Sequence, residues 1–509
     1  MSFILSTLLY LFITVLVLYL YSEYRSYQKI SFYTKQGVRY DWKPAILRLF
    51  SKEKKKSQNP FEIAQHLTEV YKGEDIALTY IYGTLQVCPL TPKALKEFFE
   101  KEKEHTTRSS EQFTDRKGLK EGVDPQERSR GLFKKVYNRE NLDLFRPTVA
   151  AALKDQIQVL KQKIQSDSSA GSKKVKVDFR KDFVVNFFDK MATKLALGDS
   201  PVHRSIPELE NMSFHQAVSK STALWRTKFS LANILTGGLI IKLGLSKAYK
   251  ESAVLEKRIL AYARKVYDEK VEAFAKGEYE PKKGNIMDYL ILENDKLKKE
   301  GKDLHAREEI CRHLLVIFKA GFDTAMVVFA NIFLYLVNNR EYLLKLREVV
   351  RNEFVGDDYT TDALVDQPFL HAVFMETNRL FPGLNRSFSK MVAKPFSLCG
   401  VKIRKGDDVA VRFVSLNYNK ENFPNPEKYD PTRFVDSKPP RLGFLPFSHG
   451  ARSCVGRVFG DFLIKILLVE LNREFDFSFE EEGYQLKMFH SDFISALTDS
   501  TVKVEVLGN

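Results

Sequence analysis

Cysteine is scarce in this chain, and no two cysteines lie close together. The 509 residues include only Cys88, Cys311, Cys399 and Cys454. A zinc site or a disulfide framework needs cysteines in pairs or clusters, so this spacing argues against both classes of protein. Isolated, unpaired cysteines fit a reducing compartment best.

Internal repeats are absent, and so is any G-x-G pair of glycines. The dinucleotide-binding fingerprint G-x-G-x-x-G therefore cannot be present, and the helical core leaves no spare region for a flavin domain. Acidic residues are fewer than basic ones, which gives a net charge of +15. The lysines are spread and no nucleic-acid-binding motif accompanies them, so a membrane surface or an acidic protein is favoured over nucleic acid.

Apolar residues are plentiful, at 44% of the chain, with 12% aromatic. Apolar positions recur every three or four residues in 179–197, 252–276 and 308–338, which predicts long helices. Runs typical of strands are short and late, at 396–403 and 408–413. The polar stretches 52–59 and 165–176 indicate exposed loops. The pattern predicts a mainly α fold with small β-sheets.

The amino terminus carries an uncharged apolar run, residues 3–21, long enough as a helix to cross about 30 Å of hydrocarbon. A cleaved signal peptide is the alternative, but a basic n-region and an Ala-x-Ala-like site are both missing. We expect residues 1–24 to form a membrane anchor and residues 25–509 one large domain. The basic residues that follow the run place this domain in the cytosol; they are Arg25, Lys29, Lys35 and Arg39.

One cysteine lies in the glycine-containing stretch FSHGARSCVG, residues 447–456, just before a predicted helix at 455–471. The amino end of a helix favours a thiolate, and a thiolate can bind a metal. Gly450 and Gly456 would let the backbone approach a flat partner, and Arg452 would supply a cation for a carboxylate on it. The alternative is that Cys454 is an ordinary small buried residue.

The longest predicted helix contains AGFDT, residues 320–324. An interior glycine costs a helix about 1 kcal/mol relative to alanine, so Gly321 indicates a packing reason, of which close approach to a cofactor is one. The Thr324 hydroxyl can bond the carbonyl of Ala320 and loosen one helical hydrogen bond, and Asp323 beside it would complete a proton relay. The alternative is a solvated Asp and a satisfied Thr in an ordinary helix.

Glu376 and Arg379 are spaced three apart on one predicted helical face, and most such pairs are surface contacts. A later PTRF segment supplies Arg433, which could join them in a buried network. Removal of one member of such a network would leave the others as unpaired buried charges, so a structural role is expected.

The pattern F-x-x-G-x-R-x-C-x-G resembles the haem-binding loop of the cytochrome P-450 superfamily, the haem-thiolate monooxygenases, in their microsomal form. A-G-x-D-T is similar to the family's oxygen-activating stretch, and E-x-x-R with P-x-R-F to its Glu-Arg-Arg network. The resemblance covers nearly all of the chain after the anchor. It implies a cytochrome P-450 fold and haem b, an iron protoporphyrin IX, with Cys454 as the axial thiolate. It also implies site residues in three groups: Thr324 and Asp323 for oxygen and protons; Phe447, Gly450, Gly456, Ala320 and Gly321 around the cofactor; and Glu376, Arg379 and Arg433 as the structural network.

Haem propionates need cations, and the resemblance implies Arg452 for one of them. Arg130 aligns with the arginine of the family's W-x-x-x-R helix, although Gln126 stands at the usual tryptophan position. Arg386 or Lys390 could serve the other propionate, and the spacing does not choose between them. His449 is expected at an edge of the loop.

The resemblance implies a monooxygenase that inserts one atom of O2 into an apolar small molecule. Rival hypotheses are a haem-thiolate isomerase or dehydratase, and a non-enzymatic haem module for gas sensing or electron transfer. Electrons would come from NADPH–cytochrome P-450 reductase or cytochrome b5, docked on a basic face formed by Arg128, Lys134, Lys135 and Arg457. The expected location is the endoplasmic reticulum membrane, crossed once. Substrate contacts are expected before Arg130, in 212–250, near Phe318 and Phe322, in 383–388 and in 489–494.

Overall fold

The computed structural model describes residues 2–40, 69–81, 84–108, 125–167, 174–198, 200, 205–226, 241, 244–356, 359–435, 441–481, 484–490 and 495–507. The predicted loop at 52–59 lies outside these residues, as does part of each expected substrate segment at 212–250 and 489–494.

The chain begins with a 33-residue helix, α1 (Ser2–Thr34). Most of its described apolar side chains from Tyr10 to Tyr27 are exposed, with Tyr10 at 73%, and Tyr19 is half-buried. Its end enters a hydrophobic core that includes Ile30, Tyr33 and Val38. The helix has no break near residue 24, so the proposed division between anchor and domain falls inside one continuous element.

A small β-rich part receives the end of α1. Its mixed sheet runs in the order β1-β2-β8-β5-β3, in which only the β2–β8 pair is parallel. The strands are β1 (Ile76–Ile81), β2 (Thr84–Pro89), β3 (Thr106–Arg108), β5 (Lys390–Val392) and β8 (Asp408–Val409). Helix α2 (Pro92–His105) lies between β2 and β3, capped by the side chain of Thr91.

Two predicted strands are wrong in extent. The segment 396–403 is a hairpin of β6 (Phe396–Leu398) and β7 (Val401–Ile403), because Cys399 and Gly400 both adopt positive φ, at 46° and 81°. The segment 408–413 keeps strand pairing only in β8. A short helix, α14 (Phe413–Asn417), begins where the prediction ended.

Helices form the larger part of the protein. Those between α2 and the predicted helix 308–338 are α3 (Pro125–Val136), α4 (Leu142–Asp167), α5 (Asn186–Leu197), α6 (Phe214–Trp225), α7 (Lys247–Ala275) and α8 (Ile286–Lys299). A π-helical turn (Arg180–Val185) leads into α5. The predicted helices 179–197 and 252–276 are therefore confirmed.

The predicted helix 308–338 consists of α9 (Arg307–Ile317), a π-helical turn (Phe318–Phe322) and α10 (Asp323–Asn338). We call the whole element the central helix. Its length and composition would allow it to span a membrane, yet half of its most apolar stretch is buried. Phe333 packs on Phe179 and Phe477, with ring centroids 4.1 and 4.7 Å away, so the central helix is part of the main core.

The carboxy-terminal third completes the helical layer. It contains α11 (Arg340–Glu353), α12 (Thr361–Asp366), α13 (Pro368–Leu380) and α15 (Arg457–Glu474). Strands β4 (Val175–Asp178), β12 (Thr501–Val506) and β9 (Phe475–Ser478) form a three-stranded sheet, and β10 (Met488–His490) pairs with β11 (Ser495–Leu497). The mainly α architecture with small sheets is confirmed.

Candidate active site

Cys454 lies in a tight loop that leads into α15. A short 3₁₀ turn (Gly450–Arg452) precedes it, and its backbone N–H donates to the carbonyl of Phe447 at 2.8 Å. The side chain is exposed, yet burial by surrounding protein raises the pKa of the Cys454 thiol, while the Gly456 N–H and the charges of Arg130 and Arg457 lower it. The thiol is therefore accessible although protein surrounds it closely. Cys454 lies three positions before Arg457, the first residue of α15. The sequence predicts this helix to begin one position after the cysteine, so the predicted and observed positions nearly agree.

Helix α2 supports the cysteine loop from outside. Gly450 has φ 77°, and a Cβ there would come within 2.9 Å of the Phe99 ring and 3.0 Å of Glu102 Oε2, so only glycine fits. His449 contacts Phe99 edge to face, with ring centroids 5.2 Å apart, as expected of a residue at the edge of the loop.

Several cations surround the loop. Arg452 donates from Nη2 to the carbonyl of Thr106 at 2.6 Å. Arg130, on α3, donates to Ser453 Oγ at 3.3 Å. Burial lowers the pKa of Arg130, and the nearby Cys454 and Glu102 oppose that shift. Of the two arginines proposed to hold propionates, Arg130 acts electrostatically on the thiol, and Arg452 lies two residues before it in the loop.

Glu102 on α2 is a buried carboxylate that sequence reasoning missed. Its side chain lies 3.5 Å from Lys390 Nζ and acts electrostatically on Arg130. Arg386 is buried as well, but it donates to Ser387 O at 3.1 Å and Ser389 Oγ at 3.4 Å within its own segment. Of the two alternatives for the second propionate, Lys390 shares a counter-ion with Arg130.

The π-helical turn of the central helix opens a groove. Ala320 and Gly321 are exposed in it, although Phe318, Lys319 and Phe322 around them are buried. A Cβ on Gly321 would meet only Ile317 Cγ2, at 4.0 Å, so none of the elements that the structure describes fills this side of the helix. Because Ala320 and Gly321 are exposed although they lie in a core helix, they form one wall of an open space beside that helix.

Thr324 and Asp323 follow the groove. Thr324 Oγ1 donates to Ala320 O at 2.7 Å, as predicted, and lies 3.2 Å from Gly321 O. Asp323 Oδ1 accepts a hydrogen bond from Ser219 Oγ at 3.0 Å and lies 3.7 Å from His215 Nε2. Ser219 and His215, both on α6, were missed because nothing in the local sequence links them to Asp323.

The segment after α13 packs tightly on the central helix. A Cβ on Gly383 would lie 2.3 Å from Val328 Cγ2, so a larger residue would displace this contact. Phe318 and Phe322 were expected near substrate, but both rings are buried, with centroids 5.2 Å apart, and Phe318 lies 4.9 Å from Phe214. These rings belong to the core.

Glu376, Arg379 and Arg433 meet in one buried cluster. Arg379 donates to both oxygens of Glu376, at 2.7 and 2.8 Å, and both residues are 0% exposed. Arg433 Nε donates to Glu376 Oε1 at 3.2 Å. Arg379 also binds the carbonyls of Asn417 and Pro426, at 3.0 and 2.6 Å. The cluster therefore joins α13 to the long segment that leads to the cysteine loop.

These residues suit a haem bound through a thiolate. An accessible but desolvated thiol provides a soft ligand for iron, Arg130 and Arg452 provide cations for carboxylates, and Ala320 with Gly321 leaves a groove free of side chains. A structural cysteine in a packed core would be neither accessible nor flanked by arginines.

Comparison with known proteins also supports a haem-binding family. The cytochrome P450 family matches residues 40–506. Probable cytochrome P450 6a13 of Drosophila melanogaster is 33% identical over 211 residues, 39% of this chain and 41% of that protein. Cytochrome P450 3A12 of Canis lupus familiaris is 28% identical over 259 residues, 48% and 51% of the two chains. The chain thus spans about two fifths of the first relative and about half of the second.

The fold is also shared with a solved structure. The crystal structure of the cytochrome P450DA heme domain is 16% identical, with a TM-score of 0.66, over 88% of this chain and 92% of that one. At this identity the likeness concerns the fold alone. The family match covers most of the chain, including the loop of Cys454 and the groove of the central helix. The chain belongs to the cytochrome P450 family.

Proposed function

We propose that this protein is a haem-thiolate monooxygenase that inserts one oxygen atom from O2 into an apolar organic substrate and reduces the other to water. The observation that carries the proposal is the accessible but desolvated thiol of Cys454, flanked by Arg130 and Arg452, in a chain whose central helix opens a groove at Ala320 and Gly321. A haem held by this thiolate would supply oxygen activation, because the thiolate donates electron density that favours O–O cleavage.

The cysteine loop would hold the cofactor from one side. Cys454 would ligate the iron, and Phe447, Gly450 and Gly456 would keep the loop close to the ring. Arg452 and Arg130 would bind propionates, and Arg452 would then exchange its contact with Thr106 O for a charged partner. The buried cluster of Glu376, Arg379 and Arg433 would fix the segment that leads to the loop.

Two residues of the central helix would transfer protons. The Thr324 hydroxyl donates to Ala320 O at 2.7 Å, and its lone pairs can still accept a hydrogen bond from a ligand in the groove. Asp323 lies next in sequence and is half-buried, so it can take up a proton from water and return it toward Thr324. Replacement of either group would slow proton delivery by about a hundredfold or more.

The substrate is proposed to be apolar, of the lipid, sterol or xenobiotic type. Phe318 and Phe322 pack away from the groove, so the half-buried residues Ala325 and Val328 and the neighbouring Gly383 are the better candidates for substrate contacts. They are small or aliphatic and offer no charge to a ligand.

The amino-terminal residues 1–24 are proposed to cross the endoplasmic reticulum membrane once, with residues 25–509 in the cytosol. Exposed Tyr10, Val17 and Leu20 support this, because no part of the described chain covers them. An apolar helix of this length can span a bilayer.

Electrons are proposed to come from NADPH–cytochrome P-450 reductase or cytochrome b5. Lys134 and Arg457 are exposed, as a docking surface requires, whereas Lys135 pairs with Glu293 at 3.0 Å. Lys134 and Arg457 are therefore the better candidates for contact with an acidic partner.

The absorbance of the reduced, carbon-monoxide-bound protein tests the assignment. We expect the spectrum of thiolate-ligated haem in the wild type and in the control Cys399→Ser, and its loss in Cys454→Ala. A thiolate spectrum that survives in Cys454→Ala would refute the assignment of Cys454 as the haem ligand. Substrate-dependent NADPH consumption with the reductase then separates a monooxygenase from an isomerase or a haem sensor, which would consume none.

A further inference from the structure

A buried histidine links the acid of the central helix to a second carboxylate. His215, near the start of α6, is 4% exposed. Its Nδ1 lies 3.4 Å from Asp189 Oδ1 on α5, and its Nε2 lies 3.7 Å from Asp323 Oδ1 on α10. Among the described residues the buried Nε2 has no hydrogen-bond partner, and Asp323 is the carboxylate that it faces. One imidazole thus bridges three helices.

Both carboxylates are held by further donors from α6 and its cap. Ser213 Oγ donates to Asp189 Oδ1, and Gln216 Nε2 donates to Asp189 Oδ2 at 3.1 Å. Ser219 Oγ donates to Asp323 Oδ1 at 3.0 Å. Each carboxylate therefore has a hydroxyl partner besides the histidine, and neither depends on the histidine alone for its position.

The electrostatics favour a charged imidazole. Burial lowers the pKa of His215, but Asp189 and Asp323 more than offset it and raise the pKa to about 9. Other charges nearby are paired among themselves: Lys319 with Glu256 of α7 at 2.5 Å, and Lys220 of α6 with Glu210 at 2.6 Å. The two aspartates are thus the charged groups that face the ring.

We propose that His215 is a positioning residue for Asp323: as an imidazolium it bridges Asp189 and Asp323 and holds the Asp323 carboxylate against α6, beside the groove of the central helix. The hydrogen on Nε2 stays on the nitrogen. Asp323 takes up a proton from water and releases it toward Thr324, and the imidazolium holds the resulting carboxylate in place for the next transfer. This inference rests on the proposed function, because the proposed function assigns Asp323 the transfer of a proton from water to Thr324.

The first test is independent of catalysis. In the wild type, NMR titration of the histidine rings should show His215 charged until about pH 9, with its signal assigned by its loss in His215→Gln. Asp323→Asn and Asp189→Asn should each lower its proton affinity about tenfold or more. His371 is the internal control, because its ring lies 3.8 Å from Asp461 but is 46% exposed, and it should not change. A His215 that titrates near the ordinary value of about 6.5, or ignores Asp323→Asn, overturns the proposal.

The second test uses the haem-loaded enzyme. His215→Ala should retain the thiolate spectrum and substrate binding, yet form several-fold less product per NADPH and release more hydrogen peroxide. The pH at which coupling is best should also shift. His215→Gln keeps a neutral donor and should recover part of the loss, and His371→Gln should behave as wild type. Unchanged coupling and pH profile in His215→Ala would overturn the role of His215.

The two tests separate failure of this inference from failure of the proposed function. If the titrations follow expectation but the wild type inserts no oxygen, the monooxygenase assignment fails and the positioning of Asp323 by His215 is upheld.

Discussion

The protein contains two long apolar helices whose surroundings differ. In α1, most of the described apolar side chains are exposed, namely Tyr10, Ile13, Leu16, Val17, Leu20, Tyr21, Tyr24 and Tyr27. The central helix has a similar apolar character, but half of its most apolar stretch is buried, and Phe333 is 0% exposed. The same apolar content therefore serves as an outer surface in one helix and as core in the other.

The interruptions distinguish the two helices. The apolar part of α1 carries only mild polar residues such as Thr14, whose hydroxyl bonds the carbonyl of Tyr10 at 2.8 Å within a regular helix. The central helix contains Lys319 and Gly321 within a π-helical turn and Asp323 directly after it. Lys319 pairs with Glu256, Gly321 borders the groove, and Asp323 accepts a hydrogen bond from Ser219. Charged residues inside an apolar helix thus indicate partners within the protein, whereas their absence leaves lipid as a suitable environment.

The largest expected effect contrasts a new carboxylate introduced into each of the two helices. Phe333→Asp should unfold the protein or destabilise it by about 5 kcal/mol or more, because it removes a packed ring and buries an unpaired carboxylate. Leu16→Asp, at an exposed position, should leave the melting temperature nearly unchanged and instead weaken retention in membranes. Thermal unfolding and membrane fractionation measure the two effects. Equal destabilisation by both would contradict the contrast.

Two truncations should locate the end of the exposed part of α1. Removal of residues 2–24 should leave stability unchanged, since the buried contacts begin at Ile30. Removal of residues 2–36 also deletes Tyr33, whose hydroxyl donates to the buried Asp407 at 2.5 Å, and should cost about 2–4 kcal/mol. Denaturant unfolding measures the difference, and Tyr33→Phe isolates the hydrogen bond. Equal stability of both truncated proteins would show that α1 does not belong to the core.

The third prediction concerns pH and the central helix. The folded-state pKa of His215, about 9, lies above its ordinary value of about 6.5, so its contribution to stability is complete below pH 6.5 and is lost as the pH rises through 9. Relative to His215→Gln, the wild type should lose on the order of 3 kcal/mol across that window. Parallel stability curves for the two proteins would refute the effect.

The smallest effect compares two threonines with the same local bond. Thr14 and Thr324 each donate to the carbonyl four residues earlier, at 2.8 and 2.7 Å. Substitution of either by valine should change stability by at most about 1 kcal/mol. Only Thr324→Val should lower product formed per NADPH, because only Thr324 borders the groove. Unchanged product per NADPH in Thr324→Val would leave it as a packing residue.

The sequence alone predicted the elements that depend on local pattern. The helix at 455–471 corresponds to α15, and the helix at 308–338 was correct in its bounds. The π-helical turn inside it was not predictable, because apolar spacing does not distinguish a π turn from an α-helix. The hairpin at Cys399 and Gly400 could have been found from the glycine, which favours a turn between two short strands.

Contacts between distant residues lay beyond sequence reasoning. Ser219 and Asp323 are 104 positions apart, and nothing local links them. Glu102 lies among charged neighbours on α2 and gives no sign in the sequence that it is buried. Glu376 and Arg379 show the same limit, since an i,i+3 pair has the same pattern whether it is solvated or fully buried. The family resemblance, and not the spacing, suggested burial there.

The unbroken path of α1 has a mechanical consequence. The helix is about 50 Å long at 1.5 Å per residue, and its last turns are tied to Asp407 through Lys29 at 3.0 Å and Tyr33 at 2.5 Å. A rod joined to a body without a hinge transmits its tilt and rotation to that body. In a bilayer, the domain would therefore diffuse with a fixed face toward the lipid, and an encounter with another membrane-bound protein would be a search by lateral movement and spin about the membrane normal, without tumbling.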